Sequence, residues 1–313
     1  MRNHPNFAAR CVMSLPKWIA RNRSVAYLLK AVLKTTRVLL DGLIFPEGPR
    51  WHDGALYFSD MHAGIVWRVT PEGVANKVWE FPGTVSGLGW LANGTMLVVS
   101  MADRQLLRMT PKGPETAADL SSFVSNPIND MVVDRKGRAY IGNFGFDLIA
   151  DQAPRPTVLL CVEPDGSARA VADDLHFPNG MVITPDGKTL IVGETFAARL
   201  SAFDIQSDGS LTNRRVYAAV EGIRPDGICL DAEGAVWVAW AGGNKIVRVK
   251  EGGKIAETIP LPERHAYACM LGGADSRDLY ICTARSFVPK IARELRAGKI
   301  EVARVEVPGA GLP

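Results

Sequence analysis

Short apolar runs separated by glycine turns recur along the chain from residue 36 onward. In five places a turn glycine lies between two such runs, and these glycines are Gly54, Gly94, Gly137, Gly187 and Gly234. Glycine adopts positive φ without steric cost, so a glycine turn between two β-rich runs is a strong hairpin signal. A sixth segment, 274–283, follows the same pattern with Ser276 and Arg277 at its turn.

Most of these units contain a second hairpin, as in Val66–Gly73 and Leu106–Gly113. The glycines of successive first turns are 40 to 50 residues apart. Four strands in each such period are typical of one blade of a β-propeller. The sequence therefore predicts an all-β fold, a six-bladed β-propeller with four-stranded blades over residues 36–313.

The two ends of this repeat region predict how the ring closes. Residues 299–307 alternate like a strand, but the sixth unit has no clear second hairpin. Residues 36–40 are strand-like and have no hairpin partner of their own. We expect this N-terminal strand to complete the last blade.

Charge separates the first residues from the rest of the chain. Residues 1–40 contain eight basic residues and no acidic one, whereas the chain as a whole has a net charge of only +3. We interpret residues 1–35 as a basic N-terminal extension; it is either an accessory tail or a transit-type or membrane-surface segment. The small net charge does not favour nucleic-acid binding, and no apolar run is long enough for an integral membrane segment.

The five cysteines are odd in number and scattered, and no CxxC pair occurs. This distribution is typical neither of a disulfide framework nor of a zinc site. It favours a cytoplasmic location. Oligomeric state is not predicted by the sequence.

Candidate chemistry follows from the position of polar residues within the repeat. The first strand of each propeller blade lines the central channel, so residues at equivalent places in successive blades converge on the axis. Counting eight residues back from the turn glycines, or seven in the shorter first unit, gives Glu47, Ser86, Asn129, Asn179 and Asp226. The sixth place falls on Ala268 or Cys269.

Two carboxylates and two amides would thus direct oxygen atoms at one point. A hard divalent cation takes six to eight oxygen ligands, so Glu47, Asn129, Asn179 and Asp226 predict a metal site, with Ca²⁺ the best fit and Zn²⁺, Mn²⁺ or Mg²⁺ as alternatives. The structural alternative is that these are only turn residues ahead of the inner strands.

Several motifs that contain these residues resemble one known family. They are Phe45-Pro-Glu-Gly-Pro-Arg-Trp51, Asn129-Asp130, Pro178-Asn-Gly180, Asn213-Arg-Arg215 and Pro225-Asp-Gly-Ile-Cys-Leu-Asp-Ala-Glu-Gly234. The sequence resembles the senescence marker protein (regucalcin)/gluconolactonase/luciferin-regenerating-enzyme family over residues 38–290. That resemblance implies a six-bladed propeller with one catalytic metal on the axis. It also implies that Glu47 and Asn179 are metal ligands, that Asp226 is both ligand and catalytic residue, and that Asn129 contacts metal or substrate.

The function we expect is hydrolysis of a small cyclic ester, with the metal polarising the carbonyl group and Asp226 activating water. The small-molecule substrate would also contact Asn129, Asn143 and His265. Two alternatives remain, a phosphotriester hydrolase on the same architecture and a non-catalytic propeller that binds calcium or a ligand.

One departure from the family bears on the substrate. Sugar lactonases of the family often have an arginine where this chain has Pro127, which has no side-chain donor. Aromatic residues near the inner ends of the blades predict a more apolar pocket, and they are Trp90, Phe144, Phe146, Phe196 and Trp240. We therefore expect alkyl- or aryl-substituted lactones to be better substrates than glucono-1,5-lactone.

Overall fold

Residues 35–313, which the computed structural model describes, form six antiparallel sheets of four strands each. The predicted six-bladed β-propeller is confirmed. The predicted basic extension lies outside the described residues, apart from Thr35.

The strands follow one another blade by blade. The first is β1 (Arg37–Leu43). Blade one contains β2 (Pro46–His52), β3 (Ala55–Asp60), β4 (Ile65–Val69) and β5 (Ala75–Glu80). Blade two contains β6 (Val85–Trp90), β7 (Met96–Ser100), β8 (Gln105–Thr110) and β9 (Gly113–Asp119). Blade three contains β10 (Ile128–Val133), β11 (Ala139–Asn143), β12 (Thr157–Val162) and β13 (Ala168–Leu175).

The second half of the propeller repeats this order. Blade four contains β14 (Pro178–Ile183), β15 (Thr189–Glu194), β16 (Arg199–Ile205) and β17 (Leu211–Ala219). Blade five contains β18 (Pro225–Leu230), β19 (Val236–Trp240), β20 (Lys245–Val249) and β21 (Ile255–Pro260). Blade six contains β22 (His265–Gly272), β23 (Asp278–Ala284) and β24 (Gly298–Arg304), with β1 as its outer strand.

The ring is continuous through both its inner and its outer strands. Each inner strand packs against the inner strands of its two neighbours, and β2 packs against β22. At the periphery β1 pairs antiparallel with β24, with Arg37 opposite Val302 and Val38 opposite Glu301. Strands from opposite ends of the described chain therefore share one sheet.

The turns and the core have the expected chemistry. The five predicted turn glycines all have positive φ, between 71° and 83°. Most inner strands are buried along nearly their whole length, and apolar clusters lie between successive blades, as in the contact of Val182 and Leu200 with Val238. This packing holds the starts of the inner strands in fixed positions.

Two short helical segments interrupt the strands. A 3-10 turn spans Met61–Ala63, and an α-helix spans Pro289–Leu295 inside the last blade. Arg293 on the helix donates a hydrogen bond to the carbonyl oxygen of His62 at 2.6 Å, which ties the helix to the 3-10 turn. In the described part of the chain no helix is long and apolar enough to cross a membrane.

Candidate functional site

The first strand of every blade carries an irregularity of pairing close to its start. In blades two to five it spans the position predicted to face the axis, as between Pro225 and Ile228 in blade five, and in blade one it begins at that position, Glu47. In blade six it lies between Ala266 and Ala268. A bulge bends a strand and redirects the side chain within it. The six residues at these places are Glu47, Ser86, Asn129, Asn179, Asp226 and Tyr267.

The glycine that follows several of these residues is required by the neighbouring blade. A Cβ atom at Gly180 would lie 2.5 Å from the carbonyl oxygen of Asp226, and one at Gly48 would lie 2.7 Å from that of Ser86. No side chain fits at such distances from backbone atoms. The glycine therefore lets adjacent inner strands approach closely, and the functional residue before it is brought next to its counterpart.

A chain of hydrogen bonds links the axial side chains from blade to blade. The Asn129 amide nitrogen donates to the Asn179 amide oxygen at 2.9 Å, and Ser86 donates to the Asn129 amide oxygen at 3.3 Å. Asn179 in turn hydrogen-bonds to Asp226 and donates to the hydroxyl of Thr195 at 3.2 Å. Three of the four predicted metal ligands, Asn129, Asn179 and Asp226, are thus linked in one buried cluster, and the fourth, Glu47, is near enough for its charge to act on Asp226.

The two carboxyl groups of this cluster repel each other. Burial raises the pKa of Glu47 to about 8; the negative charge of Asp130 adds to the effect, while the Gly48 backbone N–H and the Arg50 cation oppose it. Burial also raises the pKa of Asp226, and the charges of Glu47 and Asp130 raise it further. Within residues 35–313 neither Glu47 nor Asp226 forms an ion pair with a cation.

Arg50 is close to this cluster, but its guanidinium group already has other partners. Its guanidinium group donates to Asp130 at 2.6 Å, to the carbonyl oxygen of Leu88 at 3.1 Å and to that of Met131. It therefore joins the first three inner strands and forms an ion pair with Asp130. The family motifs that contain Arg50 and Asp130 describe a structural ion pair below the axial cluster.

Tyr267 is the axial residue that sequence counting missed. It stands where Ala268 or Cys269 was predicted, because the sixth unit has no turn glycine to set the register and its irregularity spans a single residue. Its hydroxyl group is buried and has no hydrogen-bond partner among the described residues. The negative charges of Asp226 and Glu47 add to the effect of burial in raising the pKa of Tyr267, and all three residues line the same cavity. The bulge before an inner strand is the signal that would have located it.

A cavity of about 260 Å³ opens above the axial cluster. Its lining includes Glu47, Asn129, Asn179, Asp226 and Tyr267, so the polar cluster forms part of its surface. Pro127 lines it too and offers no hydrogen-bond donor there. Most of the remaining lining is apolar, with Ile149 and Phe287 both exposed, and Arg224 is the one arginine or lysine that residues 35–313 contribute to it.

The apolar wall is an aromatic cluster from blades three and four. The rings of Phe144 and Phe177 lie 4.6 Å apart, and Phe196 stacks on Phe177 at 5.8 Å. The sequence named Phe144 and Phe196 correctly but missed Phe177. Phe146 packs behind this wall against Phe196 at 5.1 Å and does not line the cavity.

Trp90 and Trp240 were also expected to contribute to the cavity, and neither lines it. Trp90 stacks on His52 with a centroid separation of 4.2 Å, whereas Trp240 packs under the ammonium group of Lys245 at 4.7 Å. Trp90 is the last residue of β6 and Trp240 the last residue of β19, and their positions in the sequence alone do not reveal these contacts.

Two further residues predicted to contact substrate lie elsewhere. Asn143 is fully buried; its amide donates to the carbonyl oxygen of Val158 at 2.7 Å and accepts from Thr157 at 2.6 Å, so it fastens the segment after β11. The ring of His265 lies 3.3 Å from the carbonyl oxygen of Gly243, and His265 does not line the cavity. The position of these two residues gives no support to a role in substrate binding.

His62 lines the cavity instead. Its ring stacks on Phe45 at 5.0 Å, and its Nε2 atom lies 3.0 Å from the carbonyl oxygen of Phe287. Burial lowers the pKa of His62, while that carbonyl oxygen raises it in part. Sequence analysis did not single out His62, because it belongs to a connection outside the repeated strands.

The sequence and the fold of this chain have counterparts among known proteins. A family model described as the SMP-30/Gluconolactonase/LRE-like region matches residues 45–285. The chain belongs to this family. The resemblance inferred from the motifs is thereby confirmed.

Named relatives match more than half of the length of the chain. A 6-deoxy-6-sulfogluconolactonase from Pseudomonas putida is 28% identical over 295 residues, which are 91% of this chain and 97% of that protein. Regucalcin from Danio rerio is 33% identical over 172 residues, 53% of this chain and 57% of that protein. The solved structure of a calcium-binding protein, regucalcin, from Agrobacterium tumefaciens superimposes with a TM-score of 0.75 at 21% identity, covering 90% of this chain and 97% of that one.

Proposed function

We propose that this protein is a divalent-metal-dependent lactonase whose catalytic centre is the axial cluster. The observation that carries the proposal is the pair of buried carboxyl groups, Glu47 and Asp226: burial raises the pKa of both, the charge of Glu47 raises that of Asp226 further, and neither forms an ion pair among residues 35–313. Buried charges are ordinarily paired or coordinate metals. They lie beside two amides at one end of a cavity, in a family with named lactonases.

The donor set fits a hard divalent cation. Glu47 and Asp226 offer carboxylate oxygens, and Asn129 and Asn179 offer amide oxygens once their amides turn toward the axis. In the described chain no group of three His, Cys, Asp or Glu side chains is suited to hold a metal. The axial set contains two such side chains, Glu47 and Asp226, and its other two oxygen donors are amides. All-oxygen ligation favours Ca²⁺, and the name of the Agrobacterium relative as a calcium-binding protein supports that choice.

When bound, a divalent cation supplies positive charge that ionises Glu47 and Asp226 and polarises the ester carbonyl group. The ionised Asp226 accepts a proton from the water molecule that attacks the carbonyl carbon. As the ring C–O bond breaks, this proton passes to the departing ring oxygen. The products are the carboxylic acid and the alcohol of one opened chain.

The walls of the cavity set the preference among lactones. A polyhydroxy lactone leaves each hydroxyl group unpaired unless the protein supplies a partner, at a cost of about 1–3 kcal/mol each. Phe144, Phe177 and Phe196 supply apolar surface and Pro127 supplies no donor. We therefore propose higher kcat/KM for alkyl- or aryl-substituted lactones than for glucono-1,5-lactone.

A panel of lactones, with one phosphotriester included, tests this function. Hydrolysis is measured on metal-stripped protein and after addition of Ca²⁺, Mn²⁺, Mg²⁺ or Zn²⁺, with Glu47→Ala as the inactive control. We expect metal-dependent lactone hydrolysis that Glu47→Ala abolishes. Phosphotriester turnover without lactone turnover would replace the proposed reaction, and calcium binding without any turnover would replace the enzyme by a binding protein.

A further inference from the structure

Arg224 occupies an unusual place at the cavity. It lies two residues before Asp226, lines the cavity and is exposed to solvent. Its guanidinium carbon sits 5.5 Å from the centre of the Phe196 ring, and in the described chain its side chain forms no hydrogen bond or ion pair. The backbone at this position is fixed, because the Ala241 N–H donates to the Arg224 carbonyl oxygen at 3.0 Å.

Arg224 determines the net charge of the cavity once a cation is bound. The charged groups that line the cavity are the two axial carboxylates, Glu47 and Asp226, and the guanidinium of Arg224; His62 is held towards its neutral form by burial. A divalent cation on the axis balances the two carboxylates. The loaded cavity then has a net charge of +1, and that charge is the one on Arg224. An excess of one sign in a cleft with low-dielectric walls attracts ligands of the opposite sign.

The geometry also constrains the rest of the ligand. Arg224 and Asp226 are two residues apart in the chain and both line the cavity, so the exposed rim at Arg224 is near the centre at Asp226. The ring of Phe196, which lies against Arg224 and stacks on Phe177, lines the same cavity. A ligand that reaches both ends therefore has an apolar middle.

We propose that the natural substrate is a lactone with an apolar, preferably aryl, body and an anionic group that Arg224 binds at the rim. This inference rests on the proposed lactonase activity for its reactive end. The anion accepts hydrogen bonds from the guanidinium group, whose planar face remains on Phe196. Arg224 then selects among lactones by charge, separately from the chemistry at the axis.

Two lactones that differ only at the far end of the aryl ring test the proposal, one with a 4-carboxyphenyl and one with a 4-methylphenyl substituent. We expect the wild type to prefer the carboxylate, with a preference that declines as salt is added. In Arg224→Gln the ratio of the two kcat/KM values should fall about 5-fold, the size of a partly exposed charged contact. Arg224→Lys should keep most of the preference.

Arg285→Gln is the matched control. Arg285 is also an exposed arginine, but it pairs with Glu263 at 3.7 Å and does not line the cavity. Its removal should leave the ratio unchanged. An equal loss for both lactones in Arg224→Gln, or a wild-type preference for the neutral lactone, would overturn the proposal.

Binding measured without turnover separates this proposal from the lactonase activity. The calcium-loaded protein is titrated with 4-methylbenzoate and with 4-methylbenzyl alcohol, and the shift in melting temperature is recorded. We expect the benzoate to bind more tightly to wild type and to lose that advantage in Arg224→Gln. If no lactone is hydrolysed but benzoate binding depends on Arg224, the proposed reaction is wrong and the anion site is supported. If lactones are hydrolysed but benzoate binding does not depend on Arg224, the reaction is supported and the anion site is wrong.

Discussion

Buried carboxylates occur in two different environments in this propeller. Within the blades, Glu194 has Arg199 at 2.9 Å and Arg214 at 3.2 Å, and it also accepts hydrogen bonds from Ser201 and from the His176 backbone. Burial raises its pKa, but these partners outweigh burial and the pKa is lowered. On the axis, Glu47 and Asp226 are also buried, and burial raises the pKa of both; the charge of Asp130 raises the pKa of Glu47 further, and the charges of Glu47 and Asp130 raise that of Asp226.

The same contrast holds for other buried acids of the blades. Asp231 is paired with Arg248 at 2.6 Å, and Glu301 with Arg264 at 2.5 Å. These three carboxylates of the blades thus each have an arginine partner, and Asp60 accepts hydrogen bonds from the backbone N–H groups of Ile44 and Phe45 instead, whereas the axial pair combines two facing carboxyl groups with no ion pair in the described chain. A protein retains such a pair where an unpaired buried acid has a function.

The largest expected effect is on catalysis. Asp226→Asn keeps an oxygen that can ligate a cation but removes the group that accepts a proton. We expect turnover of a good lactone to fall at least ~100-fold while calcium still raises the melting temperature. Asp231→Asn is the control from the blades; it should lower stability and leave the turnover per folded molecule near the wild-type value. Activity near wild type in Asp226→Asn would leave Asp226 as a ligand only and place the base elsewhere.

Removing a paired carboxylate should lower stability and leave calcium binding intact. Glu194→Gln leaves Arg199 and Arg214 without their shared partner. Because both arginines are partly exposed, we expect a loss of about 2 kcal/mol in the free energy of unfolding, at the lower end for a charged hydrogen-bonded group. Denaturant unfolding measures this loss, and calcium binding should be retained. A Glu194→Gln protein as stable as wild type would show that the blade arginines do not stabilise through Glu194.

The pH dependence of stability in the metal-free protein should also distinguish the paired from the unpaired carboxylates. The pKa of Glu47 is about 8 in the folded state, above its value in an unfolded chain. From about pH 4.5 to pH 8 the unfolded state therefore releases a proton that the folded state keeps, and stability falls as pH rises. We expect Glu47→Gln to reduce this fall in chelator. Superimposable wild-type and Glu47→Gln melting curves across pH 5–8 would contradict the raised pKa.

The smallest effect compares two tyrosines of blade six. The hydroxyl groups of Tyr267 and Tyr280 are both buried without a partner in the described structure, but only Tyr267 lines the cavity. Removing an unpaired hydroxyl should not destabilise either protein. Tyr267→Phe should lower lactone turnover about 5-fold, which corresponds to the loss of one neutral hydrogen bond, whereas Tyr280→Phe should leave turnover unchanged. Equal turnover in the two variants would exclude Tyr267 from the site.

The fold was predictable because its determinants are local. A turn glycine and two apolar runs specify a hairpin, and Gly54 and Gly187 have the positive φ that such turns require. The axial position was predictable wherever a turn glycine set the count, as for Asn179 and Asp226. It failed in blade six, where no glycine marks the turn and Tyr267 is the axial residue.

The rest of the site depends on contacts between blades that no single repeat encodes. Asn143 has a polar side chain at a strand end, yet Thr157 and Val158 consume its hydrogen bonds. Phe177 and Phe144 meet only because blades three and four are adjacent. Arg224 acquires its role from Phe196, a residue of the preceding blade.

The melting temperature of metal-stripped protein, with and without calcium, tests most directly whether the unpaired axial carboxylates form a cation site. Calcium at a hundred times its Kd should stabilise wild type by about 2.7 kcal/mol. Glu194→Gln should melt earlier but gain as much from calcium, whereas Glu47→Ala, which removes a ligand oxygen, should gain little or nothing. A wild-type melting curve that changes neither in excess chelator nor in saturating calcium would contradict a metal site on the axis.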